Sequence, residues 1–288
     1  MRHAFLAVLL LAGCARTPAV VPQPRYALGE GYRSGGIWSY PREEFELDES
    51  GIAAILPSAG PGLTANGELR DSRGMFAAHR TLQLPAIVTV THLENGRSIR
   101  LRVNDRGPQM AGRVIGVTPR AAELLGARGP FRARVVIDGQ ASRAAMEGLS
   151  GQDVLPIQAA PVGRVEREGL APPTGARGSA GPAAAATPVR DAEAPAAARE
   201  PERLPEQVVQ GPVTYAGSIW LEAGRFFRRD LAQAQAARIG GRAEPFGPPG
   251  HQQQWRVRSG PYSTIPEADA ALARALAAGQ PDLRLAVE

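Results

Sequence analysis

The 288-residue chain has a formal net charge of +5, and all 33 of its Lys+Arg positions are arginine. These arginines are spread along the chain and aromatic residues are only 5%, which argues against a nucleic-acid surface, where basic side chains cluster on one element with aromatics interleaved. The 26 prolines and 33 glycines exclude one large regular domain and point to two small folded units separated by a linker.

Met1-Arg2-His3 precedes an apolar run from Ala4 to Ala12, the charged-then-apolar layout of a secretory signal. The run is too short to cross a bilayer, which takes about 20 residues. Leu11-Ala12-Gly13-Cys14 resembles the bacterial lipoprotein box and implies cleavage ahead of Cys14 and acylation of its thiol. A generic signal peptide with an incidental Cys, or a short anchor, is the alternative. Cys14 is the single cysteine, so no intramolecular disulfide exists. Ala15 in place of Asp is similar to sorted Gram-negative lipoproteins and implies the periplasmic face of the outer membrane. Residues 1–14 thus read as signal and 15–28 as tether.

From Tyr26 to Phe45 glycines and Pro41 interrupt any helical or strand period, so this segment is expected to wrap the first domain. Its Trp38-Ser39-Tyr40-Pro41 reads as a hydrophobic latch, with a stacking surface for a sugar as the alternative. From Ser50 to Asp138 short strands are dense. Ile52 to Leu56 is apolar, Ala86 to Leu93 alternates around Val88 and Val90, Ser98 to Val103 alternates again, and Arg132 to Ile137 closes the region. Glu94-Asn95-Gly96-Arg97 is a hairpin signal that pairs the second and third of these. Thr118 as N-cap, Pro119 at the first helical position and Gly126 beyond the end frame one short helix. Many short strands with one small helix predict a compact β-barrel.

Within that region Arg102-Val103-Asn104-Asp105-Arg106-Gly107-Pro108 sets a carboxylate where a strand runs out onto turn-formers, a common place for a catalytic side chain. Glu68 ends the turn-rich Thr64-Ala65-Asn66-Gly67-Glu68, and His79 lies in Ala77-Ala78-His79-Arg80. If the barrel gathers these three, one carboxyl can work as an acid while the others orient substrate. Taken singly, Asp105 can cap a turn, His79 can be a core histidine bonding the backbone, and Glu68 can be a solvated turn residue. His79, His92 and the missing thiols give no spacing typical of zinc, and no cofactor is expected.

Residues 140–211 are dominated by Ala, Pro, Gly, Arg and Glu and read as a disordered linker, able to reach roughly 100 Å or more at about 3.1 Å per residue. Residues 212–288 recover periodicity. A strand around Val213 to Ile219, a helix over Leu221 to Ile239, a strand at Trp255 to Val257, a helix over Pro266 to Ala278 and a strand at Leu283 to Val287 predict a small α/β module.

Leu63-Thr-Ala-Asn-Gly-Glu68, Phe76-Ala-Ala-His-Arg-Thr-Leu-Gln-Leu-Pro85, Val90-Thr-His-Leu-Glu-Asn-Gly-Arg97 and Arg102-Val-Asn-Asp-Arg-Gly-Pro108 together resemble the rare lipoprotein A (RlpA) family of septal lytic transglycosylases. The resemblance covers residues 29–139 and implies a double-psi β-barrel. Gly217-Ser218, Trp255-Arg-Val-Arg258 and Gly260-Pro-Tyr262 make residues 212–288 similar to a SPOR domain, a ferredoxin-like module that binds glycan strands stripped of stem peptides at division sites. The implied reaction cleaves the bond between N-acetylmuramic acid and N-acetylglucosamine without water. Family motif positions place activity on Asp105, Glu68 and His79, with Asp105 as acid/base and the other two placing substrate or tuning its acidity. Asn66, Arg80, Asn104, Arg106, Trp255, Arg256 and Arg258 are the implied substrate-binding residues. The implied partners are peptidoglycan strands, the membrane through Cys14, and division-machinery proteins.

Two departures stand out. The usual Ala-Ser-Trp-Tyr-Gly is Ala53-Ala-Ile-Leu-Pro57, and the usual Ile-Asp-Leu-Ser is Ile115-Gly-Val-Thr118, so a second acidic position is Gly116. They support an alternative in which the barrel binds glycan at the septum without cutting it.

Overall fold

A computed structural model describes residues 20–150 except 36 and 59, and residues 203–288 except 214–216, 249, 251–252 and 281–282. Cys14 and its signal, and residues 151–202 of the expected linker, lie outside the described residues.

The lead-in folds into a hairpin, β1 (Tyr32–Ser34) against β2 (Ile37–Ser39). Ile37 and Ser39 are buried, whereas Trp38 and Tyr40 stay 52% and 65% exposed. The expected latch is therefore reversed. Side chains alternate across a strand, so burying Ile37 and Ser39 sends the aromatics outward.

The barrel consists of β3 (Asp48–Ile55), β4 (Phe76–Ala78), β5 (Ala86–His92), β6 (Arg97–Asp105), β7 (Arg113–Val117), the helix α1 (Pro119–Leu125) and β8 (Phe131–Ile137). Its strands close in the order β3-β7-β4-β6-β5-β8 and back to β3. The pairs β3/β7 and β4/β6 are parallel and the rest antiparallel, the mixed pairing of a double-psi β-barrel. Parallel neighbours cannot be joined by tight hairpins, so the chain crosses the barrel end twice and leaves the loops before β4 and after β6 side by side.

Alternation built this core. Val88, Val90, Ile99, Leu101, Val103, Ile115, Val117 and Val135 point inward and are almost wholly buried, each stabilising the fold by roughly 1.5–3 kcal/mol. Asn95 and Gly96 turn the β5–β6 hairpin as expected, with Asn95 Oδ1 accepting from Arg97 N at 2.9 Å and Gly96 at φ 73°. Thr118 caps α1 by accepting from Ala121 N, and Gly126 ends it in the left-handed region.

The expected linker is ordered at both ends. Residues 139–150 form α2 (Gly139–Ser150), started by Asp138, whose Oδ1 accepts from Ala141 N at 2.9 Å. Ile87 N donates to Ser142 Oγ at 2.9 Å, which ties the helix to β5. Further on, β9 (Val208–Gln210) adds antiparallel to β6. Composition suggested neither, because both depend on docking to the barrel rather than on their own apolar content.

The C-terminal unit runs β10 (Ile219–Phe226), α3 (Arg229–Arg238), β11 (Arg242–Phe246), β12 (Gln254–Tyr262), α4 (Ile265–Ala277) and β13 (Arg284–Val287). The sheet order is β11-β12-β10-β13, all antiparallel, with both helices on one face. This corrects the expected order: Leu221 to Phe226 is strand rather than helix, and β11 was missed. Leu221 and Ala223 suit a helix locally, but their face is buried by pairing with β12 and β13, and tertiary pairing overrides propensity.

The two units share a sheet. Ala286 of β13 pairs with Gly51 of β3, and Ile52 is fully buried in the C-terminal core. Arg113 makes a bidentate pair with Asp269 at 2.7 and 2.8 Å, and Arg132 Nη2 donates to Ser263 O at 2.6 Å.

Candidate active site

A groove of about 520 Å³ opens where β6 leaves the barrel, between Leu56 and Pro57 on one side and Arg70 to Ser72 on another. Asp105 stands in it at the last residue of β6. Its Oδ1 accepts from Ala65 N at 3.0 Å and from Arg106 N at 2.8 Å, while Oδ2 lies 3.6 Å from Arg70 Nη2. One oxygen is thus clamped to the backbone and the other lies beside Arg70, which also lines the groove.

The clamp depends on Glu68, which is 2% exposed. Its Oε1 accepts from Arg102 Nε and Nη2 at 2.9 and 2.7 Å and from Asn66 Nδ2 at 2.7 Å; Oε2 accepts from Asn104 Nδ2 at 2.9 Å. This buried pair fixes the 64–68 loop to β6 and so aims the Ala65 amide at Asp105. Glu68 therefore has no surface to offer a substrate, and neither does Asn66, which is 0% exposed with its amide engaged by Glu68. Asn104 lines the groove at its base.

His79 is buried beside these residues, and its backbone N–H donates to Asp105 O at 3.1 Å. Its Nδ1 accepts from Thr81 N at 3.2 Å and from Leu82 N at 3.1 Å, which assigns the ring proton to Nε2. Burial, with Arg106, Arg42 and Arg80 nearby, pushes the imidazole down from 6.5 to about 3. His79 is a neutral post under the Asp105 strand end, the core-histidine alternative left open above.

Arg106 lines the groove, but its guanidinium donates to the carbonyls of Leu82, Ala27 and Leu28 and so staples the tether to the barrel. Arg80 turns away toward a second cavity, and its Nη2 donates to Met110 O at 3.0 Å. In the C-terminal unit Arg256 and Arg258 lie on the sheet face opposite the helices, with Arg258 stacked 3.9 Å over Trp220. Trp255 alternates to the helix side, packed on the core under Arg229. Trp220, rather than Trp255, is the tryptophan on the face of Arg256 and Arg258.

Arg70 and Arg102 were not singled out from sequence. Arg102 falls on the polar side of an alternating strand, where a bland solvated arginine looks the same; only the 64–68 loop folding over it reveals the pair. Among the described residues no group of His, Cys, Asp and Glu side chains is placed to hold a metal ion.

Residues 48–139 match the lytic transglycolase family and residues 215–282 match the SPOR domain. The chain is 37% identical over 188 residues to the endolytic peptidoglycan transglycosylase RlpA of Pseudomonas aeruginosa, covering 62% of this chain and 51% of that protein. The chain thus carries a lytic transglycolase segment followed by a SPOR segment and is similar to proteins named RlpA. A second RlpA, from Escherichia coli K12, is 26% identical over 290 residues, covering 82% of this chain and 77% of that one. A third, from Rickettsia bellii, is 36% identical over 117 residues, covering 39% and 52%. The chain spans about half the length of the Pseudomonas relative it matches. Asp105, Glu68 and His79 all fall inside the matched lytic transglycolase segment, as do Leu56 and Gly116.

Proposed function

We propose that this chain is an endolytic lytic transglycosylase that cleaves peptidoglycan strands between N-acetylmuramic acid and N-acetylglucosamine and leaves 1,6-anhydro-N-acetylmuramic acid ends. The observation that carries this reading is Asp105: one carboxyl oxygen clamped by two amides, the other 3.6 Å from Arg70, both residues lining a groove of about 520 Å³. A single carboxyl can serve both steps. As an acid it protonates the glycosidic oxygen as the bond to C1 breaks; as a base it then takes the proton of the muramyl O6 hydroxyl, which closes on C1. The carboxyl ends protonated as it began, and no water is consumed. Such chemistry does not need the paired carboxylates of hydrolysing glycosidases. Glu68, Arg102 and His79 act as positioning residues that hold the strand end and the 64–68 loop in register. The names of the Pseudomonas and Escherichia relatives support the same reaction.

In this reading the lipobox at Cys14 anchors the chain to the periplasmic face of the outer membrane, and the SPOR unit gathers it on peptide-free strands at the division septum, where division-machinery proteins are its neighbours. Arg256 and Arg258, on the sheet face opposite the helices with Trp220 buried beneath Arg258, are the strand-holding candidates.

A second reading draws on Gly116 and on the same backbone clamp, which a barrel that only binds glycan would also show. Product analysis decides between them. Peptide-free strands incubated with residues 15–288 yield anhydro ends by mass spectrometry if the first reading holds; bound but uncut strands support the second.

A further inference from the structure

Trp38 and Tyr40 lie before the segment that matches the lytic transglycolase family, and their exposure has no packing explanation. Their rings are stacked with centroids 6.2 Å apart and planes 16° apart. The arrangement is built rather than incidental. The β1–β2 hairpin buries Ile37 and Ser39 beneath them, Tyr32 Oη pins the hairpin to Arg80 O at 3.0 Å, and a Cβ at Gly31 would lie 2.9 Å from the Tyr40 ring. Two large aromatics held side by side in solvent mark a contact surface rather than a core.

They form one wall of a cavity of about 640 Å³ that also reaches Arg256 and Arg284 on the open face of the C-terminal sheet. The charges along it are matched only in part: Arg80 and Arg225, which also line it, have no carboxylate partner among the described residues. Arg256 pairs with Glu222 and Glu288, and Arg284 pairs with Glu222 and Glu49. Such a wall offers many donors and acceptors to hydroxyl and acetamido groups, and its two arginines without carboxylate partners suit the lactyl carboxylate that a muramyl residue keeps when its peptide is removed. Aromatic faces beside such groups suit a pyranose, which has an apolar C–H face and a polar rim. The cavity ends at a ridge where Arg80 bonds Met110 O, and Met110 lines the Asp105 groove on the far side.

We propose that Trp38 and Tyr40 form an aromatic subsite that holds a sugar ring of a peptide-free glycan strand between the SPOR sheet and the Asp105 groove. The proposal rests on the glycan-strand reading above and deepens it, by giving the strand a path from where it is gathered to where it is cut.

The chain has three tryptophans, so a Trp220→Phe/Trp255→Phe variant of residues 15–288 reports on Trp38 alone. Purified peptide-free strands are expected to shift its emission to the blue and shield it from acrylamide. Trp38→Ala and Tyr40→Ala, at side chains already more than half exposed, are each expected to weaken the strand concentration needed for half-maximal turnover about tenfold, the equivalent of about 1.4 kcal/mol, with kcat little changed. Trp38→Phe and Tyr40→Phe keep a ring and are expected to restore it. Unchanged Trp38 emission with strands that still sediment with the protein overturns the subsite. Alanine variants with wild-type half-saturation overturn it as well, and both outcomes leave the cleavage reading intact. Absence of anhydro products overturns that reading instead, while the emission shift still reports on the subsite.

Discussion

Leu56 occupies the space that a side chain at Gly116 needs: a Cβ built on Gly116 lies 2.5 Å from Leu56 Cδ2 and 3.2 Å from Pro108 Cβ. The two positions read from the resemblance as departures therefore share one space, with Leu56 filling the volume next to Gly116. Gly116→Asp alone is expected to cost about 1–3 kcal/mol through overpacking. Adding Leu56→Ala is expected to recover much of that loss, read as a coupling energy in a double-mutant cycle of urea unfolding. Strict additivity of the two changes would show that the positions do not share this space.

Glu68 and Arg102 form a buried pair whose remaining lone pairs are taken up by Asn66 and Asn104. Glu68→Gln leaves the guanidinium buried without its counter-charge and is expected to lower stability by about 3 kcal/mol. The same variant frees the Ala65 amide from Asp105, so turnover should fall even at temperatures where the protein remains folded. A variant as stable as wild type would mean that the pair holds nothing in place.

His79 titrates near 3 in the folded protein against an ordinary 6.5, because burial and neighbouring arginines disfavour its cation. Below about pH 6.5 the unfolded chain takes up a proton at this residue that the folded chain refuses. Stability from this source is full above that pH and is lost as the pH falls toward 3, at a limiting slope of about 1.4 kcal/mol per unit. His92, also lowered by burial, adds to the same window. Urea midpoints between pH 4 and 8 should show this fall, and His79→Asn, whose amide oxygen can accept from Thr81 and Leu82 without titrating, should flatten it. Identical slopes for the two proteins would exclude His79 as the source.

Arg113 is buried at the junction of the two units and meets the half-exposed Asp269. Asp269→Ala strands that guanidinium and is expected to cost about 1–3 kcal/mol. Calorimetry should then show the C-terminal unit unfolding ahead of the barrel, whereas an unchanged single transition would make the junction dispensable.

Strand alternation, the Asn95-Gly96 turn and the Thr118 cap were legible because each is a local rule written in neighbouring residues. Asp105 was legible for the same reason, as a carboxylate at a strand end. The β10 strand was not, since Leu221-Glu-Ala reads as helix until β12 and β13 pair with it. The partners of Glu68 were equally hidden: Arg102 lies 34 positions away and meets it only because the barrel crosses over. The outward turn of Trp38 was decided by which of two alternating faces found a core, and that is settled by the barrel rather than by the hairpin.

The most direct measurement compares residues 15–288 with the Asp105→Asn variant on peptide-free glycan strands, following both strand binding and products by mass spectrometry. Wild type should release fragments ending in 1,6-anhydro-N-acetylmuramic acid, and the variant should bind the strands with similar affinity but release none. Anhydro products from Asp105→Asn at the wild-type rate, or none from either protein, would contradict the assignment of Asp105 as the acid and base of a lytic transglycosylase.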